Sequence, residues 1–134
     1  ELAGAVAPAH VDGRSLVPLL HGQEVGAWRT AALIEHHGPL RDRADPDAPA
    51  RLSGNPPTYE AMRTRKVLYV EYETGEKEYH DLVTDPHELR NLFPSLSSED
   101  KRRLHSALDA IKNCRDAKAC WAAERTVHDT MMNK

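Results

Sequence analysis

The chain has 134 residues, 29% of them charged, and a formal net charge of -3 with both signs mixed along its length. That balance offers neither the basic footprint nucleic acids need nor an acidic tail, and no apolar run reaches the ~20 residues of a membrane helix, so neither nucleic acid nor a membrane is expected as a partner. One modest hydrophobic core fits this length, and residues 1–8 have neither the basic start nor the apolar centre of a signal peptide.

Taken in chain order, Glu1-Leu2-Ala3-Gly4 reads as the last turn of a helix stopped by glycine, which suggests a segment cut from something longer. Residues 1–28 are therefore expected to be a connecting segment, with a short apolar turn at 15–20. Residues 29–36 hold Ala31, Ala32, Leu33 and Ile34 and suit a buried strand. From 38 to 57 the sequence carries five prolines and no apolar period, the mark of a long surface loop. A loop of that length is either functional or mobile.

Two strands are expected at 59–65 and 67–73. In the second, Val67, Tyr69 and Glu71 share one face while Leu68, Val70 and Tyr72 share the other, which fits a central strand covered on both sides. Thr74-Gly75 turns the chain, and 77–82 returns antiparallel. Asp85-Pro86-His87-Glu88 has the chemistry of a helix start: a capping carboxylate, a proline at the first position and a glutamate able to reach back. Ser97 and Asp100 repeat that logic ahead of a stripe formed by Leu104, Ala107, Leu108 and Ile111. The expected fold is α+β, a small antiparallel sheet of three to four strands packed against a C-terminal helix over 97–113, followed by a tail at 114–134.

Two stretches resemble a known family. Residues 12–20, Asp-Gly-Arg-Ser-Leu-Val-Pro-Leu-Leu, are similar to a segment that follows the catalytic domain in sulfatases. Residues 59–72, then Tyr79-His80-Asp81-Leu82, then Thr84-Asp85-Pro86-His87-Glu88-Leu89-Arg90-Asn91-Leu92, resemble the family's Arg-Thr, Tyr, Asp-Leu-x-x-Asp-Pro-x-Glu-x-x-Asn-Leu ending. His80 departs from the pattern, which usually has Tyr there. The resemblance covers roughly residues 1–112. It points to the C-terminal subdomain of a sulfatase of the arylsulfatase and N-acetylglucosamine-6-sulfatase type, in the alkaline phosphatase superfamily.

What the resemblance implies is a non-catalytic portion that contributes structure and substrate-pocket shape to a sulfuric ester hydrolase. Its partners would be the catalytic domain of the same chain and a sulfated small molecule or glycan. Formylglycine and calcium are implied for that catalytic domain and no cofactor for this segment. The maturation signal Cys/Ser-x-Pro-x-Arg is absent, because Cys114 is followed by Arg115-Asp116 and Cys120 by Trp121-Ala122. No catalytic residue is expected here. Two alternatives stand beside this: a phosphonate or phosphodiester hydrolase of the same superfamily, and an independent module binding carbohydrate or protein through the 38–57 loop and the strand-end histidines.

Site candidates are few. The eight histidines form no His-x-x-x-His pair with an acidic partner, so no metal site is expected. By family analogy His36 and His37, at a strand end beside the long loop, are candidates for lining a substrate pocket. Arg63 and Arg65 are candidates because a guanidinium fork matches a sulfate or carboxylate, although alternate arginines on a strand also pair with Glu60, Glu71 or Glu73 or stay solvated. Asp81 and Asp85 read as turn and cap residues. Cys114 and Cys120 are expected to form a disulfide in a secreted or periplasmic protein. A continuous helix would put them ~9 Å apart along its axis, beyond the ~7 Å a bridge tolerates, so the chain must turn between them. Apolar residues 16, 17, 19, 20, 33 and 34 are expected to drive self-association of the chain on its own.

Overall fold

A computed structural model describes residues 2–6, 8, 11, 13–26, 28–38 and 56–132, with side chains as far as Val127. Most of the expected 38–57 loop, and Asp12 of the first motif, lie outside the described residues. Of the connecting segment, the regular part is a single turn, α1 (Val17–Leu20), with Ser15 Oγ accepting from the Val17 N–H at 3.1 Å.

Four strands form one antiparallel sheet in the order β1-β2-β3-β4: β1 (Ala31–His36), β2 (Tyr59–Thr64), β3 (Val67–Tyr72) and β4 (Lys77–Asp81). The meander follows from its turns. Thr64 Oγ1 accepts from the backbone N–H groups of Lys66 and Val67 at 3.1 and 2.9 Å, which closes β2 onto β3. At the next corner Gly75 takes φ 92, a conformation costly for any residue with a Cβ, and donates to the Tyr72 carbonyl at 2.9 Å. β3 lies inside the sheet, and Tyr69 and Val70, on opposite faces of it, are both buried.

The expected helix at Asp85 does not form. The Asp85 carboxylate accepts from the Arg90 N–H at 2.8 Å, Glu88 enters the left-handed region at φ 57, and the chain leaves as a turn. The Leu89 and Arg90 backbone N–H groups that hold the Asp85 carboxyl below its usual range are those of a loop, not of a helix start. Asn91 then pins the loop to the sheet edge, accepting from the Tyr79 N–H at 3.1 Å and donating to the Lys77 carbonyl at 3.0 Å. One tight 3₁₀ turn (Phe93–Ser95) leads to α2.

Helix α2 (Ser98–Lys112) starts where its cap chemistry places it: Ser97 Oγ accepts from the Asp100 N–H at 3.1 Å. Its stripe Leu104, Ala107, Leu108 and Ile111 packs on Ala31, Met62 and Tyr69 of the sheet. The stretch after Asn113, expected as a tail, is instead a second helix, α3 (Ala117–Met132), that completes the core with Ala123 and Val127. Asp116 starts it by accepting from the Ala119 N–H at 2.8 Å. Small residues hid the pattern. Cys120, Trp121, Ala123, Glu124 and Val127 recur at helical spacing and are all buried, although only two of them are large and apolar.

The junction between the helices supplies the turn that the bridge requires. α2 ends before Asn113 and α3 begins at Ala117, so Cys114 and Cys120 come to a Cα separation of 5.0 Å and are joined. Leu33 belongs to the helix side, where it packs against the core, and so leaves the set of bare apolar residues that were expected to drive association.

Candidate functional site

Helices α2 and α3 take one face of the sheet. By register and alternation, the opposite face carries Ala32, Ile34 and His36 from β1, Tyr59, Ala61 and Arg63 from β2, Leu68, Val70 and Tyr72 from β3, and Glu78 and His80 from β4.

At one end of that face is an aromatic group. His36 stacks on Tyr59 with ring centroids 5.3 Å apart, and Tyr59 meets Tyr72 edge-on at 5.6 Å. The Tyr72 hydroxyl reaches Glu78 at 3.3 Å, and the other Glu78 oxygen lies 3.0 Å from His80 Nε2. Burial and the neighbouring Glu78 charge push the Tyr72 hydroxyl up, so it stays a neutral donor. Two imidazole nitrogens are buried and find no partner among the described residues: His36 Nε2 and His80 Nδ1. His80, where the sequence departs from the family pattern, is therefore a fully placed member of this cluster. His37 is exposed just beyond β1 and does not join it.

At the opposite end of the sheet, an open cleft of about 580 Å³ is lined by Trp28, Arg29 and Thr30 ahead of β1, by Arg63 and Thr64 at the end of β2 and Arg65 just past it, and by Leu82 and Pro86. The structure thus brings Arg63 and Arg65 together but separates them from His36 and His37. Arg63 Nη1 pairs with Glu88 at 2.7 Å, a loop residue rather than the cross-strand Glu60, Glu71 or Glu73. The Arg29 guanidinium reaches Glu124 on α3 at 3.2 Å through Nε. No described acidic residue is paired with Arg65, which is exposed.

Sequence reasoning missed Trp28, Arg29 and Glu124. Trp28 is held edge-on to Trp121 of α3 with centroids 6.3 Å apart, and the Arg14 guanidinium lies over the Trp121 ring. Thr30 adds a hydrogen bond to the Glu124 carbonyl at 3.2 Å. Glu124 is 6% exposed, and burial pushes its carboxyl up against the opposing pull of Arg29, of its backbone contact with Thr30 and of Arg14. The available signal was a tryptophan beside an arginine in an otherwise polar segment, which a reading of residues 1–28 as a mere connection passed over.

The resemblance implies formylglycine and calcium for the catalytic domain, and the described residues of this chain offer neither group a place. Both cysteines are bonded to each other, so neither offers a thiol for conversion. The described residues contain no group of three His, Cys, Asp or Glu side chains placed to hold a metal.

Comparison with known proteins bears on this geometry. No family model matches the chain. The N-acetylglucosamine-6-sulfatase of Capra hircus is 28% identical over 123 residues, an alignment covering 78% of this chain and 22% of the relative. A phosphonate monoester hydrolase of Agrobacterium radiobacter superposes with a TM-score of 0.50 at 30% identity, over 77% of this chain and 20% of that one. The protein BT4656, solved in complex with its substrate D-glucosamine-2-N,6-O-disulfate, shares the fold with a TM-score of 0.58 at 22% identity, over 80% of this chain and 20% of that one. The chain spans about a fifth of the length of the curated relatives it matches. Its homologues include sulfatases, and it corresponds to their C-terminal subdomain, as the motif resemblance implied.

Proposed function

We propose that this chain is the C-terminal, non-catalytic portion of a sulfatase that hydrolyses sulfate esters, where it contributes structure and substrate-pocket shape. Homology to N-acetylglucosamine-6-sulfatases supports the reaction class and favours a sulfated glycan or small molecule as substrate. The observation that carries the structural role is the helix-free face of the sheet. A buried polar atom left without a partner costs about 1–3 kcal/mol, and this face holds two with none among the described residues, His36 Nε2 and His80 Nδ1, amid half-buried Leu68, Tyr59 and Tyr72. Such a face suits a partner surface that completes it, and the catalytic domain of the same polypeptide is the partner in this reading. Formylglycine and calcium belong to that domain. The Cys114–Cys120 bridge supports an exported protein, secreted or periplasmic.

Two measurements test the reading. The coding sequence upstream of Glu1 is expected to contain Cys/Ser-x-Pro-x-Arg, and the purified 134-residue chain is expected to leave an aryl sulfate unhydrolysed. Absence of the upstream motif, or turnover that persists through repurification of this chain, overturns it. The match to a phosphonate monoester hydrolase supports a second reading in which the same fold serves a phospho-ester enzyme. Assaying the longer protein on sulfate and phosphonate monoesters separates the two.

A further inference from the structure

We infer that the cleft between Trp28 and Arg65 is a binding site for an anionic sugar. Trp28, half-buried and fixed by its edge-on contact with Trp121, supplies a rigid aromatic wall of the kind on which a pyranose ring stacks. Around it, three arginines, Arg29, Arg63 and Arg65, line the same cleft. The charges are unequal in availability. Arg29 is tied to Glu124 through Nε and Arg63 to Glu88 through Nη1, which orients both forks and leaves their remaining N–H groups facing no described acidic partner. Arg65, exposed on the turn between β2 and β3, keeps its whole fork. A planar fork presents two parallel N–H groups to the oxygens of a sulfate or carboxylate, and an ammonium does not reproduce that geometry.

The inference deepens the proposed function and rests on it for the choice of a sulfated sugar over a carboxylated one. The aromatic wall and the arginines themselves require only a ring with a negative group. A nucleic acid is a poor alternative occupant for a chain of net charge -3, in which two of the three cleft arginines already face carboxylates.

Calorimetric titration of the whole 134-residue chain tests this, with N-acetylglucosamine 6-sulfate as probe and N-acetylglucosamine, glucuronate and inorganic sulfate as comparators. Saturable binding of the sulfated sugar is expected in the millimolar range, with the neutral sugar and inorganic sulfate each weaker by about tenfold, the worth of one charge-assisted hydrogen bond. Arg65→Gln should weaken the sulfated sugar by a similar factor and Arg65→Lys by less, because the charge remains. Trp28→Ala should weaken sulfated and neutral sugar alike, and Arg102→Gln, exposed on α2 far along the chain, should change nothing. Arg65 and Arg102 are both surface residues, so these variants keep the fold and the comparison stays informative whatever Trp28→Ala does to folding. No saturable binding of the sulfated sugar overturns the inference. So does equal binding of inorganic sulfate, or an Arg65→Gln variant that binds like the parent. Tighter binding of glucuronate than of the sulfated sugar would retain the anionic-sugar site but reject its sulfated specificity. None of these outcomes bears on the upstream motif, so failure here and failure of the proposed function are told apart.

Discussion

Tyr69 donates its phenolic hydroxyl to Glu71, the next residue on the same face of β3. The pair joins the deepest part of the core to its rim, because Tyr69 is fully buried while the Glu71 carboxylate also meets Lys77 of β4 at 3.0 Å and His105 of α2 at 2.9 Å. Three elements are tied through one carboxylate. Burial alone would push Glu71 up, yet the hydrogen bonds from Tyr69, His105 and Lys77, together with the Lys77 charge, outweigh it and hold the group below its ordinary range. Burial and the bond to Glu71 push the Tyr69 hydroxyl up in turn, which keeps it protonated as the donor.

The first prediction concerns acid stability. Because Glu71 is held below its ordinary value of 4.5, its stabilising contribution is complete above that pH and is lost as pH falls through the lower folded value. Glu71→Gln should therefore lower the midpoint of thermal unfolding at neutral pH and shrink the further loss seen on acidification. Melting curves recorded from neutral pH down to about pH 3 check it. A variant whose loss steepens with acid as much as the parent's would show that the network contributes no proton-linked stability.

Glu124 should behave with the opposite sign. Its carboxyl is pushed up by burial, so the charged form is disfavoured in the folded chain; that penalty is present above the folded value and is relieved as pH falls through it toward the ordinary 4.5. One carboxylate oxygen, Oε2, is buried without a partner among the described residues. Glu124→Gln removes the buried charge while Arg29, nearly half exposed, is free to solvate. We expect no loss of stability at neutral pH and a flatter profile between neutral pH and about pH 5. A parent-like slope in the variant would rule out Glu124 as its source.

The sheet was legible because its signals are local. The two covered faces of 67–72 and the glycine at 75 each specify their own geometry within a few residues, and Ser97 does the same for α2. The Asp85 turn shows where local logic divides. A carboxylate followed by proline caps either a helix or a loop, and here the loop goes with Asn91, six residues on, which anchors the chain to β4. α3 failed to show for another reason: its buried stripe is made of Cys, Trp, Ala, Glu and Val, whose burial depends on the helix junction closed by the bridge. The cleft was half legible. Arg63 and Arg65 announce themselves by adjacency, but Trp28 and Arg29 reach them only because β1 pairs with β2 so that Ala31 lies opposite Thr64.

Removal of the bridge is the third prediction. Cys120 is 7% exposed and sits one residue before the buried Trp121, so the bond fixes the first turn of α3 against the end of α2. Chain-entropy arithmetic for so small a loop gives roughly 2 kcal/mol. The Cys114→Ala/Cys120→Ala double variant should unfold at lower denaturant with an unchanged slope, and the parent should take up no alkyl group without reductant. Two alkyl groups added to the unreduced parent would show free thiols and void the prediction.

The last prediction is that the chain by itself associates. In the proposed function a catalytic domain covers the helix-free face, so the isolated chain would present that surface bare. Ile34 on that face is 37% exposed, and elsewhere Leu16, Leu19 and Leu20 of the α1 region are bare at 59%, 43% and 67%. Contiguous apolar patches above a few hundred Å² are rare on stable monomers. β1 is also an edge strand, and an unpaired edge invites a second one. A two-fold dimer pairing these edges would bury both features at once. Light scattering over a dilution series should give a mass above the monomer at high concentration that falls on dilution, and Leu19→Glu with Leu20→Glu, both exposed and outside the core, should restore the monomer without lowering the melting temperature. A monomeric mass at every concentration would mean that α1 and the sheet satisfy their own surface, and that the open face needs no partner to remain soluble.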